Sequence, residues 1–232
     1  MNERSASLYD AIYSFKNYEQ EAATIDHLIQ TYHPHATSIL DVACGTGAHA
    51  QYFAPRYAVD GIDLNPQFIE VASQRNPKAR FWVEDMTDFQ LPSRYDVITC
   101  LFSAIGYVKT LEQLERTVQC FQQHLQPGGL ILIEPWFSPS QWISGRVDVR
   151  NYETPDSKIC RMYHGEQEGQ LSILNFEYLI GSSQGIQHIK ERHELGLFQP
   201  EDLLSILQST GMHVKFDEQG ISGRGLYIVY EK

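Results

Sequence analysis

Residues 38–47, Ser-Ile-Leu-Asp-Val-Ala-Cys-Gly-Thr-Gly, carry an apolar run into a carboxylate and straight on into a glycine turn. A buried strand that ends near Asp41 must turn at once. Gly45 and Gly47 permit backbone angles that a side chain forbids, and they let a ligand touch the main chain. The next apolar run closes on Asp63. In a doubly wound sheet, an acid at the C-terminal end of the neighbouring parallel strand accepts ribose hydroxyls, so the two runs together predict a nucleoside-binding crevice.

Gly45-Thr-Gly47-Ala-His-Ala50 also fits the G-x-G-x-x-A form of the dinucleotide fingerprint. The surrounding acids argue otherwise: Asp41 lies at the first turn, Asp63 ends the second run, and Glu84-Asp85-Met86 follows the third. A pyrophosphate wants helix N-terminal amides and no adjacent anion. The sulfonium and ammonium of S-adenosyl-L-methionine, by contrast, suit three carboxylates. The residues therefore favour that cofactor over NAD. An NAD-dependent oxidoreductase is the remoter alternative, and a module that senses the donor without catalysis is a third reading.

A length of 232 residues allows one α/β domain with a full core, and a formal charge of −11 argues against a protein that grips nucleic acid by neutralising phosphates. The expected partner is a small-molecule methyl acceptor. Cys44, Cys100, Cys120 and Cys160 are widely spaced, with no C-x-x-C pair, and read as reduced buried thiols. Residues 1–14 lack the basic start and apolar centre of a signal peptide. No run approaches the roughly 18 apolar residues of a membrane span. The expectation is a cytoplasmic protein without a membrane partner. His188 and His193, five residues apart in a strand-like segment, fall on opposite faces, and no clustered Cys/His set occurs, so no metal is expected.

Through residue 134, helix and strand patterns alternate, as in a parallel sheet covered on both faces. Helices are expected over 18–32, 48–53, 66–74 and 111–125, and strands over 38–42, 58–63, 79–83, 95–101 and 130–134. The turn Gln126-Pro127-Gly128-Gly129 cannot continue a helix. Pro135-Trp136-Phe137-Ser138-Pro139 breaks the pattern, and residues 145–196 then alternate polar and apolar, with strand-like runs at 158–163, 171–179 and 186–195. Turns are expected near Gly165, Gly169 and Gly181-Ser182-Ser183. This reads as an inserted antiparallel sheet that roofs the site. A helix over 200–209 and strands over 213–216 and 226–230 should close the sheet edge as a hairpin. The expected fold is a Rossmann-like seven-stranded α/β sheet with helices on both faces and an inserted antiparallel β lid. It is read as one domain: core 1–135, lid 136–196, and 197–232 completing the core sheet.

With these motifs placed, the chain resembles the class I S-adenosylmethionine-dependent methyltransferases, and within them the N,N-dimethyltransferases of nucleotide-linked 3-amino sugars, of the desosamine and mycaminose type. The matching segments are Leu40-Asp-Val-Ala-Cys-Gly-Thr-Gly47, Asp85-Met86-x-Asp88-Phe89 and Val97-x-Thr99-Cys100-x-Phe102-Ser103-x-Ile105-Gly106. They continue with Glu134-Pro135-Trp136, Arg161-x-x-His164 and Ser222-Gly223-Arg224-Gly225-Leu226. The resemblance implies methyl transfer to the amine of a nucleotide-linked amino sugar, with another small amine or hydroxyl metabolite as the alternative acceptor, and it implies a homodimer. Tyr9 and Tyr18 would close over the methionine end, with Asp41, Ala43 and Gly45 beneath it. Asp63 and Leu64 would take the ribose, and Asp85 and Met86 would flank the adenine. Leu101, Phe102 and Ser103 would line the channel where methyl meets acceptor. Trp136 and Phe137 read as channel wall, and Arg161, His164 and His188 as substrate contacts. Arg224 would meet the acceptor's phosphates, for which a guanidinium offers a bidentate fork.

The chain departs from the family pattern at Tyr107, which stands where the sugar-modifying relatives carry a histidine, and in its short stretch before Tyr9, where relatives place a further substrate-facing tyrosine. A sugar amine titrates near an α-amino group, at about 8, so a neutral fraction exists near neutral pH. Tyr107 and Ser103 are then expected to orient the amine without a strong base. An oxygen nucleophile would need one, and His164 or His188 would be the candidates.

Overall fold

The computed structural model describes residues 8–231. The first half of the stretch read for a leader lies outside the described residues. Among the described residues the α-helices are α1 (Tyr9–Ile12), α2 (Tyr18–Tyr32), α3 (Ala48–Phe53), α4 (Pro66–Arg75), α5 (Leu111–His124) and α6 (Pro200–Gln208). The parallel-sheet strands are β1 (Ser38–Val42), β2 (Ala58–Asp63), β3 (Arg80–Val83), β4 (Tyr95–Cys100) and β5 (Leu125–Ile133). β6 (Val147–Glu153), β7 (Ser157–Glu168), β8 (Leu171–Ser182) and β9 (Gly185–Gly196) follow, then β10 (His213–Asp217) and β11 (Leu226–Tyr230).

Polar caps start the helices where the sequence supplies them. Asn17 accepts from the Gln20 amide, Asn65 from that of Gln67 ahead of a first-turn proline, and Thr110 from that of Gln113. The seven-stranded sheet has the order β10-β11-β5-β4-β1-β2-β3, with β10 and β11 antiparallel at one edge. Alternate strand residues feed different cores. Leu40 and Val42 pack with Phe121 and Leu207 on one face, and Ile39 packs with Ile25 and Phe53 on the other. Because β2 and β4 flank β1 on opposite sides, the crevice beyond the carboxyl ends of β1 and β4 is where a ligand belongs. β6–β9 form a separate antiparallel sheet.

Two boundary expectations fail for local reasons. The fifth strand begins at Leu125 and passes through Pro127-Gly128-Gly129 as an irregularity. Its register against β4 jumps from Tyr95↔Leu125 to Val97↔Leu130, with Gly128 at φ +77°. Gly165 makes no turn and sits mid-strand in β7, opposite Leu174. A Cβ there would stand 3.1 Å from the Trp142 ring, so the glycine makes room for the indole. Among the described residues no helix is long and apolar enough to cross a membrane.

Candidate active site

At the carboxyl end of β1, the Thr99 hydroxyl donates to Asp41 Oδ1 at 2.8 Å, while Asp41 Oδ2 is buried without a hydrogen-bond partner among the described residues. Burial raises the Asp41 carboxyl above its ordinary value. Asp63, at the end of β2, accepts from the Gly45 amide at Oδ2 and the Asn65 amide at Oδ1, both at 2.9 Å, and so ties the glycine turn to the next strand. Burial raises this carboxyl too, and the amide hydrogen bonds partly offset the rise. Three non-glycine residues at the ends of β1 and β4 have left-handed backbones: Ala43 (φ +58°), Phe102 (+54°) and Ser103 (+59°). Strain of this kind persists where surrounding contacts hold it, and here it lines the crevice.

Helix α1 closes one side. Asp10 pairs with Arg75 and accepts from the Thr46 hydroxyl at 2.8 Å, which sets Tyr9 over the turn. A Cβ on Gly45 would stand 3.9 Å from the Tyr9 hydroxyl. Glu21 of α2 bonds both Lys16 (2.8 Å) and His49 (2.7 Å) beneath Tyr18, whose ring meets that of His49 edge-on.

These groups open into a cavity of about 1190 Å³, more than the roughly 300–1,000 Å³ that one small ligand occupies. It is lined by Tyr9, Tyr18, Asp41, Ala43, Gly45, Asp63, Leu64, Asp85, Met86, Leu101 and Phe102, and by Tyr107, Trp136, Phe137, Arg161 and Arg224. Arg161 lies over the rings of Tyr13, Tyr152 and Phe176, with guanidinium-to-centroid distances of 5.3–5.7 Å. Arg224 lies over Phe102, Trp136 and Phe137, at 5.3–5.8 Å. Among the described residues neither guanidinium has a carboxylate within 4.0 Å.

Three expected contacts are not brought to the cavity. Ser103 is 1% exposed and donates to the Pro135 carbonyl at 2.6 Å while accepting from Arg224 at 2.9 Å, so it holds the arginine and does not face the channel. His164 and His188 lie on the outer face of the antiparallel sheet, beside Glu166 and Glu177. The reason is strand alternation. Arg161 and Tyr163 of β7 share the cavity face with Leu174, Phe176 and Tyr178 of β8 and His193 of β9, and the alternate residues of each strand, His164 and His188 among them, point away. The residues missed are on that face: Tyr13 from the α1 segment aside, they are Phe176, Tyr178 and His193. In Ile189, Glu191, His193 and Leu195, a polar pair between aliphatics at period two was the available signal.

A sequence profile of the methyltransferase domain matches residues 39–129. The dTDP-3-amino-3,6-dideoxy-alpha-D-glucopyranose N,N-dimethyltransferase of Streptomyces fradiae is 35% identical over 96% of this chain and 89% of its own. The crystal structure of Streptomyces venezuelae DesVI superposes with a TM-score of 0.94 at 31% identity, covering 100% of both chains. The SAM-bound structure of CalS10, an amino pentose methyltransferase of Micromonospora echinaspora, gives 0.89 at 30% identity, covering 97% of both. The chain belongs to the S-adenosylmethionine-dependent methyltransferases. That membership sets aside the NAD-dependent alternative. The methyltransferase's own residues fit the donor: the unpartnered Asp41 oxygen suits an ammonium, and each Asp63 oxygen keeps a lone pair for a ribose hydroxyl.

Proposed function

We propose that the methyltransferase acts on the amine of a nucleotide-linked amino sugar. The observation that carries the reading is the division of charge along the cavity. Asp41, Asp63, Glu84 and Asp85 stand at the ends of the parallel strands, whereas Arg146, Arg150, Arg161 and Arg224 come from the inserted sheet, its approach and the turn before β11. In a chain of charge −11, a cluster of arginines over aromatic faces calls for an anion, and phosphate matches the guanidinium fork. The S. fradiae relative is named for a dTDP-linked amino sugar, which agrees.

The donor supplies an electrophilic methyl group on a sulfonium. The protein's task is to hold the acceptor nitrogen in line and to keep it unprotonated. Positioning of this kind is worth up to about 7–11 kcal/mol. Tyr9, Tyr18 and Asp63 hold one reactant, Arg161 and Arg224 the other, and Tyr107 stands where the two meet. The test is incubation with S-adenosylmethionine and a panel of dTDP-linked amino sugars, their hydroxyl counterparts and the free amino sugars, read by mass spectrometry for one or two added methyl groups. Methylation of hydroxyl sugars alone, or equal rates with the free amino sugar, would refute the reading.

The proposal extends to a homodimer formed through the outer face of the antiparallel sheet, where Val147, Val149, Met162, Leu179 and Ile186 are 46–79% exposed. Sedimentation of Val149→Glu as a monomer, against a dimeric parent, would support it. All four cysteines are free, which suits the reducing cytoplasm.

A further inference from the structure

We propose that Tyr107, His193 and Glu191 form a proton relay that takes the surplus proton from the acceptor nitrogen; this rests on the amine acceptor proposed above. The Tyr107 hydroxyl stands 2.7 Å from His193 Nδ1, and His193 Nε2 stands 3.3 Å from Glu191 Oε2. A carboxylate only accepts, so Nε2 carries the imidazole hydrogen, Nδ1 is bare, and the phenol donates to it. The row therefore has a direction. A phenolic oxygen with free lone pairs leads to a proton acceptor, and a carboxylate behind it orients the ring, as in other His–carboxylate pairs.

Burial separates the row from ordinary packing. His193 is 9% exposed and the Glu191 side chain 4%, whereas Tyr107 is 48% exposed and lines the cavity. Placing a histidine and a carboxylate inside the sheet costs desolvation that an aliphatic pair would avoid. The Phe176 ring packs edge-on against His193 at 5.3 Å, and the Tyr178 hydroxyl donates to the same Glu191 oxygen at 3.4 Å. Arg161 lies beyond Phe176 and opposes an imidazolium, while Tyr13 and Asp63 act on Tyr107 from the opposite wall.

The transfer balances. The N–H bond of the acceptor ammonium breaks with its electron pair left on nitrogen, and the proton passes to the Tyr107 oxygen as the phenolic proton moves to Nδ1. The products are a neutral amine, an intact phenol and an imidazolium facing Glu191. A phenol's ordinary value of about 10 already lies above the amine's, so the two protons move together and no phenolate is released. A second methyl transfer makes the same demand, because the first leaves a secondary ammonium with one proton too many.

The test uses Tyr107→Phe, His193→Gln and Glu191→Gln in the full chain. Between pH 7 and the amine's value of about 8, the parent's kcat/KM should stay level, while the variants' fall tenfold per pH unit. The expected deficit for His193→Gln is thus about tenfold at pH 7, and it closes above pH 8. Monomethylated product should also accumulate in the variants. ¹⁵N spectra of the free protein should show His193 as the Nε2–H tautomer. Superimposable pH profiles, or an Nδ1–H tautomer in the free protein, would overturn the relay. Should no amine be turned over by the parent, the acceptor assignment falls, and the tautomer still decides whether this hydrogen-bond row exists.

Discussion

Asp41→Asn should strengthen the free protein and weaken its hold on the donor. The Asp41 carboxylate is buried, with Oδ1 satisfied by Thr99 and Oδ2 satisfied by no described residue. A buried polar atom without a partner costs about 1–3 kcal/mol, and more when charged. The amide keeps the acceptor for Thr99 and removes the charge, but leaves an unpaired NH₂. The gain therefore sits at the low end, about 1 kcal/mol, or roughly 2–4 °C in Tm for a chain of this size. The lost charge-assisted hydrogen bond to an ammonium is worth about 1.5–3 kcal/mol, so Kd for S-adenosylhomocysteine should rise about tenfold to a hundredfold. Calorimetric titration and thermal melts read the two signs. The pH sign follows from linkage. The folded value of Asp41 lies above the unfolded value of about 3.9. Between the two, the folded chain binds more protons, so this residue's contribution to stability rises as pH falls through the folded value and is complete only below the unfolded one. Asp41→Asn should lose that slope. A variant that is less stable than its parent and binds S-adenosylhomocysteine equally well would refute the reasoning.

Ser103→Ala removes the acceptor that holds Arg224; about 1 kcal/mol of net hydrogen bonding predicts a fivefold rise in acceptor KM, with donor Kd unchanged in the same titration. Asp10→Asn weakens a partly exposed pair worth under about 1 kcal/mol, so stopped-flow fluorescence should show donor release quickened by a few-fold at most. Gly47→Ala should lower the urea midpoint by about 1–3 kcal/mol equivalent. Its Cβ would meet Asn76 Nδ2 at 2.8 Å and Ala72 Cβ at 3.0 Å, from a backbone at φ +69°; an unchanged midpoint would mean that α4 yields.

The turn that lines the cavity at the end of β1 was legible because its residues are consecutive in the chain and their geometry is local. Asp41, Gly45 and Gly47 sit in one turn, and β1, β2 and β11 keep the ranges expected from apolar runs. Local signals misled where a long-range contact set the conformation. Gly165 answers to Trp142, and Pro127-Gly128-Gly129 is carried within β5 by pairing with β4. Ser103 reads as a channel residue from the resemblance, but its left-handed backbone turns the hydroxyl toward Pro135 and Arg224. His164 and His188 read as substrate contacts with the resemblance, and strand parity turns both outward while His193 faces inward.

The two halves of the cavity are built by different parts of the fold, and this has a measurable consequence. Asp41 and Asp63 are placed by parallel pairing of β1 with β2 and β4, while Arg161 is placed by antiparallel pairing of β7 with β6 and β8. Arg161 is held by ring faces rather than by a carboxylate among the described residues, so it can be exchanged without stranding an acid. Arg161→Met keeps an unbranched side chain among Tyr13, Tyr152 and Phe176 and removes only the cation. Loss of one charge-assisted bond to phosphate, about 1.5–3 kcal/mol, should raise acceptor KM about tenfold to a hundredfold. Donor Kd should stay within about twofold, because Asp41 and Asp63 hang from strands this substitution leaves alone. A donor Kd that moved in step with acceptor KM would mean that one electrostatic field spans the cavity, and the division of labour between sheet and insertion would be wrong.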